Sequence, residues 1–204
     1  MHEFVLASGN RGKLKEIAAL LDQLPVVLSA QSDYSVPEAE ETGLTFVENA
    51  LIKARNAARH TKKPSLADDS GIAVSALDGA PGIFSARYAG VGATDAQNVE
   101  KLLNDTHHLE ASKRECRFIC VTAFVRHEFD PIPIICQGVW RGRLLDGPRG
   151  LQGFGYDPIF LPDGLDRSAA ELEPQLKNLI SHRSQALRKL VAELQAEISA
   201  PVVI

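Results

Sequence analysis

Two adjacent carboxylates are the residues of this sequence with the clearest capacity for chemistry. Asp68 and Asp69 follow a short apolar run at 65–67, and Ser70 and Gly71 separate them from strand-like residues at 72–74. Two acids at the end of a buried strand are costly unless a divalent metal, a lysine or an abstracted proton compensates their charge. A tight Asp-Asp-Ser-Gly turn between two strands explains the same residues without any reaction. This stretch alone leaves both interpretations open.

A segment near the start of the chain has the layout of a phosphate-binding turn. An apolar strand at 4–7 leads into Ser8-Gly9-Asn10-Arg11-Gly12-Lys13, and apolar residues at helical spacing follow from Leu14 to Leu24. The amides of a helix N-terminus and a lysine both attract phosphate. The spacing matches neither the Walker P-loop nor the dinucleotide-binding glycine pattern. A glycine turn with a solvated lysine remains the alternative.

An acidic loop precedes the next predicted helix. Its carboxylates are Asp33, Glu38, Glu40 and Glu41, and a solvated loop is the default interpretation of such a cluster. Thr45 and Glu48 form a capping-box pattern, which predicts a helix to about Arg59. Asn49, Lys53 and Asn56 share one face of that helix. They form either an ordinary polar face or a functional one that directs Lys53 at the acid pair or at a phosphate.

Two further segments near the C-terminal end could recognise a flat polar ligand. Phe154 lies between Gly153 and Gly155, which frees its ring to stack on a nucleobase. A buried phenylalanine in a glycine-rich turn is the alternative. Ser181 is predicted to cap the last helix, so His182 and Arg183 occupy its first turn. Cations are unfavourable there for the helix itself, whereas their donors suit a carbonyl or phosphate oxygen.

The remaining patterns predict the elements that position these groups. A second strand is predicted at 26–29, and long β-rich runs at 115–126 and 132–144 predict an antiparallel hairpin. The first of these runs is apolar on both faces, which is typical of a central strand. A helix is predicted from Thr94 to about Asp105, and a short helical piece is predicted to begin at Ser168. Residues 80–90 are predicted to form a long functional loop. Trp140 is predicted to be a core residue.

Composition limits the classes of function. The 204 residues are 45% hydrophobic and 24% charged, which suits one domain or one domain with two lobes. The net charge of -4 argues against duplex nucleic acid as a partner. The three cysteines, Cys116, Cys120 and Cys136, lie in apolar runs, so we expect reduced, buried thiols and a cytoplasmic setting. Neither a signal peptide nor a membrane span is expected.

Four stretches together resemble the inosine triphosphate pyrophosphatase family, whose bacterial members are described as dITP/XTP pyrophosphatases. They are Ser8-Gly9-Asn10-Arg11-Gly12-Lys13, Leu66-Ala67-Asp68-Asp69-Ser70-Gly71, Gly153-Phe154-Gly155-Tyr156-Asp157-Pro158 and Ser181-His182-Arg183. Each motif is weak alone, but their order and spacing are specific, and the resemblance covers roughly residues 4–190. Gln152 departs from the family pattern, which has glycine there, and could narrow the loop beside Phe154.

The resemblance implies an α/β fold, with a long twisted mixed central sheet flanked by helices. It implies one domain over 1–204 with two lobes and an active-site cleft between them, a homodimer, and dependence on Mg²⁺. The implied reaction is hydrolysis of ITP, dITP, XTP or dXTP to the monophosphate and pyrophosphate, which cleanses the nucleotide pool of deaminated purines.

The resemblance also assigns roles to residues. Asp69 is the expected general base and a metal ligand, with Glu41 as the second acidic ligand and Glu38 and Glu40 as alternatives. The phosphates are expected at Ser8, Gly9, Asn10, Arg11, Gly12, Lys13, Lys53 and Ser70. The base is expected at Phe154, Gly155, Tyr156, Asp157, Lys177, His182 and Arg183. Donors from His182 and Arg183 suit a 6-keto purine and would be left unpaired by adenine.

Two rival functions remain at this point. One is a nucleotide pyrophosphatase of the related septum-associated type, with a different base preference. The other is a nucleotide-binding regulator without turnover, which would not need Asp69.

Overall fold

The computed structural model describes residues 2–8, 11–22 and 24–199, without the side chains of residues 11–13, 15, 16 and 199. Within these residues six strands form one sheet, in the order β2-β1-β3-β4-β5-β6. The strands are β1 His2–Leu6, β2 Val26–Ala30, β3 Ser65–Val74, β4 Glu115–Val125, β5 Ile134–Leu144 and β6 Phe160–Pro162. β1 is parallel to β2 and β3, and β5 is antiparallel to β6. The sheet is therefore mixed, as the α/β prediction requires.

Five α-helices accompany the sheet in the described part of the chain. They are α1 Arg11–Leu21, α2 Phe46–Thr61, α3 Asp95–Thr106, α4 Pro174–Ile180 and α5 His182–Ser199. Local signals define several of their starts. The Thr94 hydroxyl accepts from the amide of Gln97, and the Ser181 hydroxyl accepts from the amide of Ser184. These caps confirm the predicted starts of α3 and α5. No described helix has the length and apolar character needed to cross a membrane.

The chain divides into two compact units. Unit 1 comprises residues 1–69, 121–137 and 186–204, and unit 2 comprises residues 70–120 and 138–185. The boundaries fall inside β3, β4 and β5, so each of these strands contributes to both units. Unit 1 has an apolar cluster around Leu6, Phe124 and Leu190. Unit 2 has its own cluster around Ile72, Leu102 and Phe160, so each unit buries a separate core.

The alternative interpretation of the acid pair as a tight turn is excluded, because β3 continues from Ser65 through Asp68 and Asp69 to Val74. A long-range contact explains the glycine that suggested a turn. A Cβ atom at Gly71 would collide with the carbonyl of Gly82 and the hydroxyl of Ser85. The Ser85 hydroxyl also accepts from the amide of Ile72 at 2.9 Å. Gly71 therefore marks a close backbone approach and not the end of a strand.

Other differences are smaller. The predicted long loop at 80–90 contains a 3₁₀ helix, Gly82–Arg87, and α4 was not predicted. β5 begins at Ile134, two residues later than expected, because Asp130 binds the amide of Ile132 and holds the preceding turn. Ser168 and Glu171 form the predicted capping box. Cys116, Cys120 and Cys136 are buried thiols, and Trp140 lies in the core, as expected.

Candidate active site

Lys53 is the centre of a charged cluster in unit 1. Its ammonium lies 2.8 Å from Asp69 Oδ1 and 3.0 Å from Glu41 Oε1. Helix α2 supplies the lysine, strand β3 supplies Asp69, and the acidic loop supplies Glu41. The sequence interpretation that Lys53 is directed at the acid pair is confirmed.

The polar face of α2 holds the acidic loop in place. Asn56 donates to the carbonyl of Pro37 at 2.8 Å, and Asn49 accepts from the amide of Gly43 at 2.9 Å. Lys53 lies between these two asparagines on the same face and binds Glu41. Asn49 is fully buried, so its contact with Gly43 is shielded from water. Three residues at helical spacing therefore fix the loop that carries the candidate metal ligand.

Asp69 has the properties of a poised base. Burial raises the pKa of its carboxyl, and the charges of Glu41 and Asp68 add to the rise, whereas Lys53 opposes it. Burial also disfavours the ammonium of Lys53, but the attraction of Asp69 outweighs it and raises the pKa of Lys53. Asp69 Oδ2 is buried and has no hydrogen-bond partner among the described residues. That oxygen is the one still available for a proton or a cation.

A polar cavity of about 220 Å³ opens beside this cluster. Its wall includes Ser8 from the end of β1, together with Glu38 and Glu41 from the acidic loop. Asp68 and Lys53 complete the charged part of the wall. Glu40 does not line this cavity, so the geometry favours Glu41, and next Glu38, over Glu40 as the acidic group that acts with Asp69.

The oxygen donors of this cluster fit a magnesium ion. Mg²⁺ binds one or two carboxylates and takes its other ligands from substrate phosphates and water. Asp69 offers a buried oxygen, and Glu41 approaches the same ammonium. In the described part of the chain, no group of three or more His, Cys, Asp or Glu side chains could enclose a metal. Two carboxylates are the number that Mg²⁺ commonly takes from a protein.

A second cluster, in unit 2, surrounds Phe154. The ring is 62% exposed, which excludes the buried-anchor interpretation. Lys177 Nζ lies 4.9 Å and Arg183 Cζ 5.6 Å from the ring centroid. Cations near an aromatic face contribute about 0.5–1 kcal/mol each at exposed sites. Phe154 is thus an exposed aromatic platform bordered by two hydrogen-bond donors.

Asp157 positions this platform. Its Oδ2 accepts from the amide of Phe154 at 2.8 Å and also binds Lys177. Gly153 is required beside it, because its φ is +78° and a Cβ atom there would collide with Asp157. The amide of Gly155 donates to Asp95 Oδ2 at 2.7 Å, which ties the segment to the start of α3. The backbone on both sides of Phe154 is therefore fixed by carboxylates.

His182 and Arg183 are held at the start of α5, as predicted. The His182 ring stacks on Phe118 with 4.7 Å between centroids and 9° between planes, and Trp140 lies behind it at 6.4 Å. Arg183 Nη2 donates to the Ser70 hydroxyl at 3.3 Å. The aromatic wall keeps the imidazole in one orientation, which is what a base-reading donor needs.

The structure revises the expected places of some residues. Tyr156 is buried and donates to the carbonyl of Ser85 at 2.8 Å, so it anchors the segment from the core. Ser70 accepts a hydrogen bond from Arg183, which was expected at the base, and it stays a predicted phosphate contact. Gly9 and Asn10 lie outside the described residues, as do the side chains of Arg11, Gly12 and Lys13. Sequence reasoning missed Asp95, whose only signal was its place in the first turn of a capped helix.

Comparisons with known proteins show which family the chain is similar to. The model of the Ham1 family matches residues 4–193. A relative from Coxiella burnetii named dITP/XTP pyrophosphatase is 54% identical over 190 residues, which are 93% of this chain and 95% of the relative. The structure of a HAM1 protein from Coxiella burnetii superposes with a TM-score of 0.93 at 53% identity, covering 96% of this chain and 99% of that chain. The structure of the Staphylococcus aureus Ham1 protein superposes with a TM-score of 0.88 at 40% identity, covering 96% of this chain and 99% of that chain.

Proposed function

Since the chain belongs to the Ham1 family, we propose that it is a nucleoside triphosphate pyrophosphatase that hydrolyses dITP, ITP, XTP and dXTP. The products are the nucleoside monophosphate and pyrophosphate, and the reaction removes deaminated purines from the nucleotide pool. The observation that carries the proposal is the joint contact of Lys53 with Asp69 and Glu41 beside a polar cavity. This cluster supplies a carboxylate that can act as a base, a lysine cation, and carboxylate oxygens of the kind that bind Mg²⁺. It does so in a chain that is similar to dITP/XTP pyrophosphatases.

The acidic cluster of unit 1 is assigned to the phosphates. The Asp69 carboxylate takes a proton from water, and the water oxygen attacks the α-phosphorus. The bond from the α-phosphorus to the bridging oxygen breaks, and pyrophosphate leaves with the bonding electrons. Lys53 places a positive charge beside the developing negative charge, which lowers the barrier. Ser8 and Lys13 remain predicted phosphate contacts.

Asp69 and Glu41 would hold Mg²⁺, for which their carboxylate oxygens are suitable ligands. The bound ion would neutralise charge on the phosphates and on the leaving pyrophosphate. The contact between Lys53 and Glu41 supports this choice of second ligand over Glu40.

The Phe154 cluster of unit 2 is assigned to the base. The exposed ring offers a stacking surface, and Lys177, His182 and Arg183 offer donors. A 6-keto purine accepts hydrogen bonds from such donors, whereas the 6-amino group of adenine leaves them unpaired. Sites that leave buried polar groups unpaired reject the wrong substrate strongly. The predicted preference for hypoxanthine and xanthine follows from this chemistry.

Pyrophosphate release from a panel of nucleoside triphosphates with Mg²⁺ tests the proposal. We expect release from ITP, dITP and XTP and little from ATP or the pyrimidine nucleotides. Preferred release from pyrimidines would instead support the septum-associated type. Binding of ITP without any release would support a non-catalytic regulator, and neither outcome is compatible with the proposal.

A homodimer in a cytoplasmic setting is part of the proposal. The three buried thiols support a reducing compartment. Light scattering after size exclusion measures the mass in solution, and a monomer would contradict the dimer.

A further inference from the structure

The ammonium of Lys53 lies where the two candidate metal ligands meet. It is 2.8 Å from Asp69 Oδ1 and 3.0 Å from Glu41 Oε1, while its side chain is only 18% exposed. Each distance is that of a charge-assisted hydrogen bond. A lysine that binds both carboxylates at once compensates negative charge that a divalent cation would otherwise compensate.

A divalent cation on the same carboxylates would be close to this ammonium. Two cations within about 4 Å repel strongly in a partly buried site, because the effective dielectric constant there is far below that of water. Either the ammonium moves or the metal binds weakly.

We propose that Lys53 and the divalent metal compete for Asp69 and Glu41, so that the lysine keeps metal affinity low until a triphosphate binds. The inference rests on the proposed function. Phosphate oxygens give the ammonium a second anionic partner, and the four-carbon stem of lysine allows it to turn toward them. The carboxylates are then released for the metal that accompanies the phosphates. Lys53 would thereby couple metal binding to substrate binding.

The composition of the cluster agrees with this coupling. Two carboxylates cannot complete the octahedral shell of Mg²⁺, which draws its other ligands from phosphates and water. No group of three or more metal-binding side chains is found in the part of the chain that the structure describes. A permanent ion pair that metal leaves undisturbed is the competing explanation, and it predicts no effect of Lys53 on metal affinity.

Binding of Mn²⁺ to the protein without nucleotide tests the proposal. Mn²⁺ shares the oxygen-ligand preference of Mg²⁺, and its free form is counted by electron paramagnetic resonance. We expect the Lys53→Met variant to bind Mn²⁺ roughly tenfold or more tightly than the unaltered protein, because the competing charge is gone. Lys53→Gln keeps a hydrogen-bond donor without the charge and should show the same gain, whereas Lys53→Arg should restore weak binding.

Lys63→Met is the matched control. Lys63 pairs with the exposed Glu3, so this variant removes the same charge from unit 1 at a distance from Asp69 and Glu41. We expect no more than a twofold change in its Mn²⁺ affinity, because surface charges are screened. The proposal would be overturned if folded Lys53→Met or Lys53→Gln bound Mn²⁺ with the same affinity as the unaltered protein. It would also be overturned if Lys63→Met gained as much Mn²⁺ affinity as Lys53→Met. Pyrophosphate release by the unaltered protein is measured separately, so failure of the proposed function is distinguished from failure of the competition.

Discussion

Asp68 and Asp69 are neighbours in the chain with different surroundings. Side chains alternate between the two faces of a strand, so the two carboxylates leave β3 in opposite directions. Asp69 binds Lys53 and keeps one buried oxygen without a partner among the described residues, whereas Asp68 lines the polar cavity with Ser8. The two carboxylates therefore have different surroundings, and proton abstraction is the role proposed for Asp69.

Replacing each acid by its amide tests that assignment. Asp69→Asn should lower kcat by about 100-fold to 10,000-fold, the usual contribution of a general base, because the amide cannot take a proton from water. Asp68→Asn should change chiefly KM, since its oxygen can still accept hydrogen bonds. Steady-state kinetics with ITP measures both constants. Full activity in Asp69→Asn together with a large loss in Asp68→Asn would exchange the two roles.

Gly153 permits the approach of Asp157 to the backbone of Phe154. Gly153→Ala should raise KM for ITP by about tenfold, because the new Cβ displaces the carboxylate that holds the Phe154 amide. Gly164→Ala is the matched control, since Gly164 has φ +79° and open space around its Cβ position. Both variants should lose about 1–2 kcal/mol of stability from backbone strain. An equal KM in the two variants would remove Asp157 from the positioning of Phe154.

The elements differ in how far the sequence predicts them. The starts of α2, α3 and α5 were predictable because a hydroxyl and an amide three residues apart create them locally. The continuity of β3 was not, because it depends on Ser85, which contacts the strand from 13 residues away. The spacing of the three polar residues of α2 predicts that they share one face of the helix. Only the structure shows that two of them bind the backbone of the acidic loop.

The site shows the same division between local and distant information. Lys53 and Asp69 were predictable from residue type and motif. The stacking of His182 on Phe118 joins residues 64 positions apart by number and no periodicity indicates it. The motif around Tyr156 likewise does not indicate that its hydroxyl donates to the carbonyl of Ser85, which is 71 positions away by number. Tertiary packing decides such cases.

The turn between β4 and β5 carries a pH-sensitive contact. Burial alone would raise the pKa of Asp130, but hydrogen bonds from the amides of Arg126 and Ile132 and from the Arg126 guanidinium outweigh it and hold that pKa below 3.8. A depressed pKa in the folded state stabilises the protein above the pKa of the unfolded state. This stabilisation is lost as the pH falls through the folded value.

Asp130→Asn should therefore lower Tm at pH 7, and the loss should shrink as the pH falls through the acidic range, because the native carboxyl then takes up a proton. Asp166→Asn is the control, because Asp166 has a side chain that is 97% exposed. Thermal unfolding followed by circular dichroism across this pH range measures both. A difference in Tm between Asp130→Asn and the unaltered protein that stays constant with pH would contradict the assignment.

At the scale of the molecule, the two chemical tasks lie in different units. The carboxylates and Lys53 belong to unit 1, and the Phe154 cluster with His182 and Arg183 belongs to unit 2. Each unit also has its own buried apolar cluster, so a substitution in one cluster need not disturb the packing of the other. Substitutions at sites without shared partners have additive effects. Metal dependence and base selectivity should therefore be separable.

Two substitutions and their combination measure that separation. His182→Ala should lower the ratio of kcat/KM for ITP over ATP by about 10-fold to 100-fold, because a donor to the 6-keto group is lost. Half-saturating Mg²⁺, measured at saturating ITP, should stay unchanged. Glu41→Gln should raise half-saturating Mg²⁺ by about tenfold and leave the ITP-over-ATP ratio unchanged, because a charged metal ligand becomes neutral. The double variant should combine both effects additively in free energy. A change of base preference in Glu41→Gln, or of Mg²⁺ dependence in His182→Ala, would mean that the base and metal sites are energetically coupled, since reciprocal effects are what linkage requires.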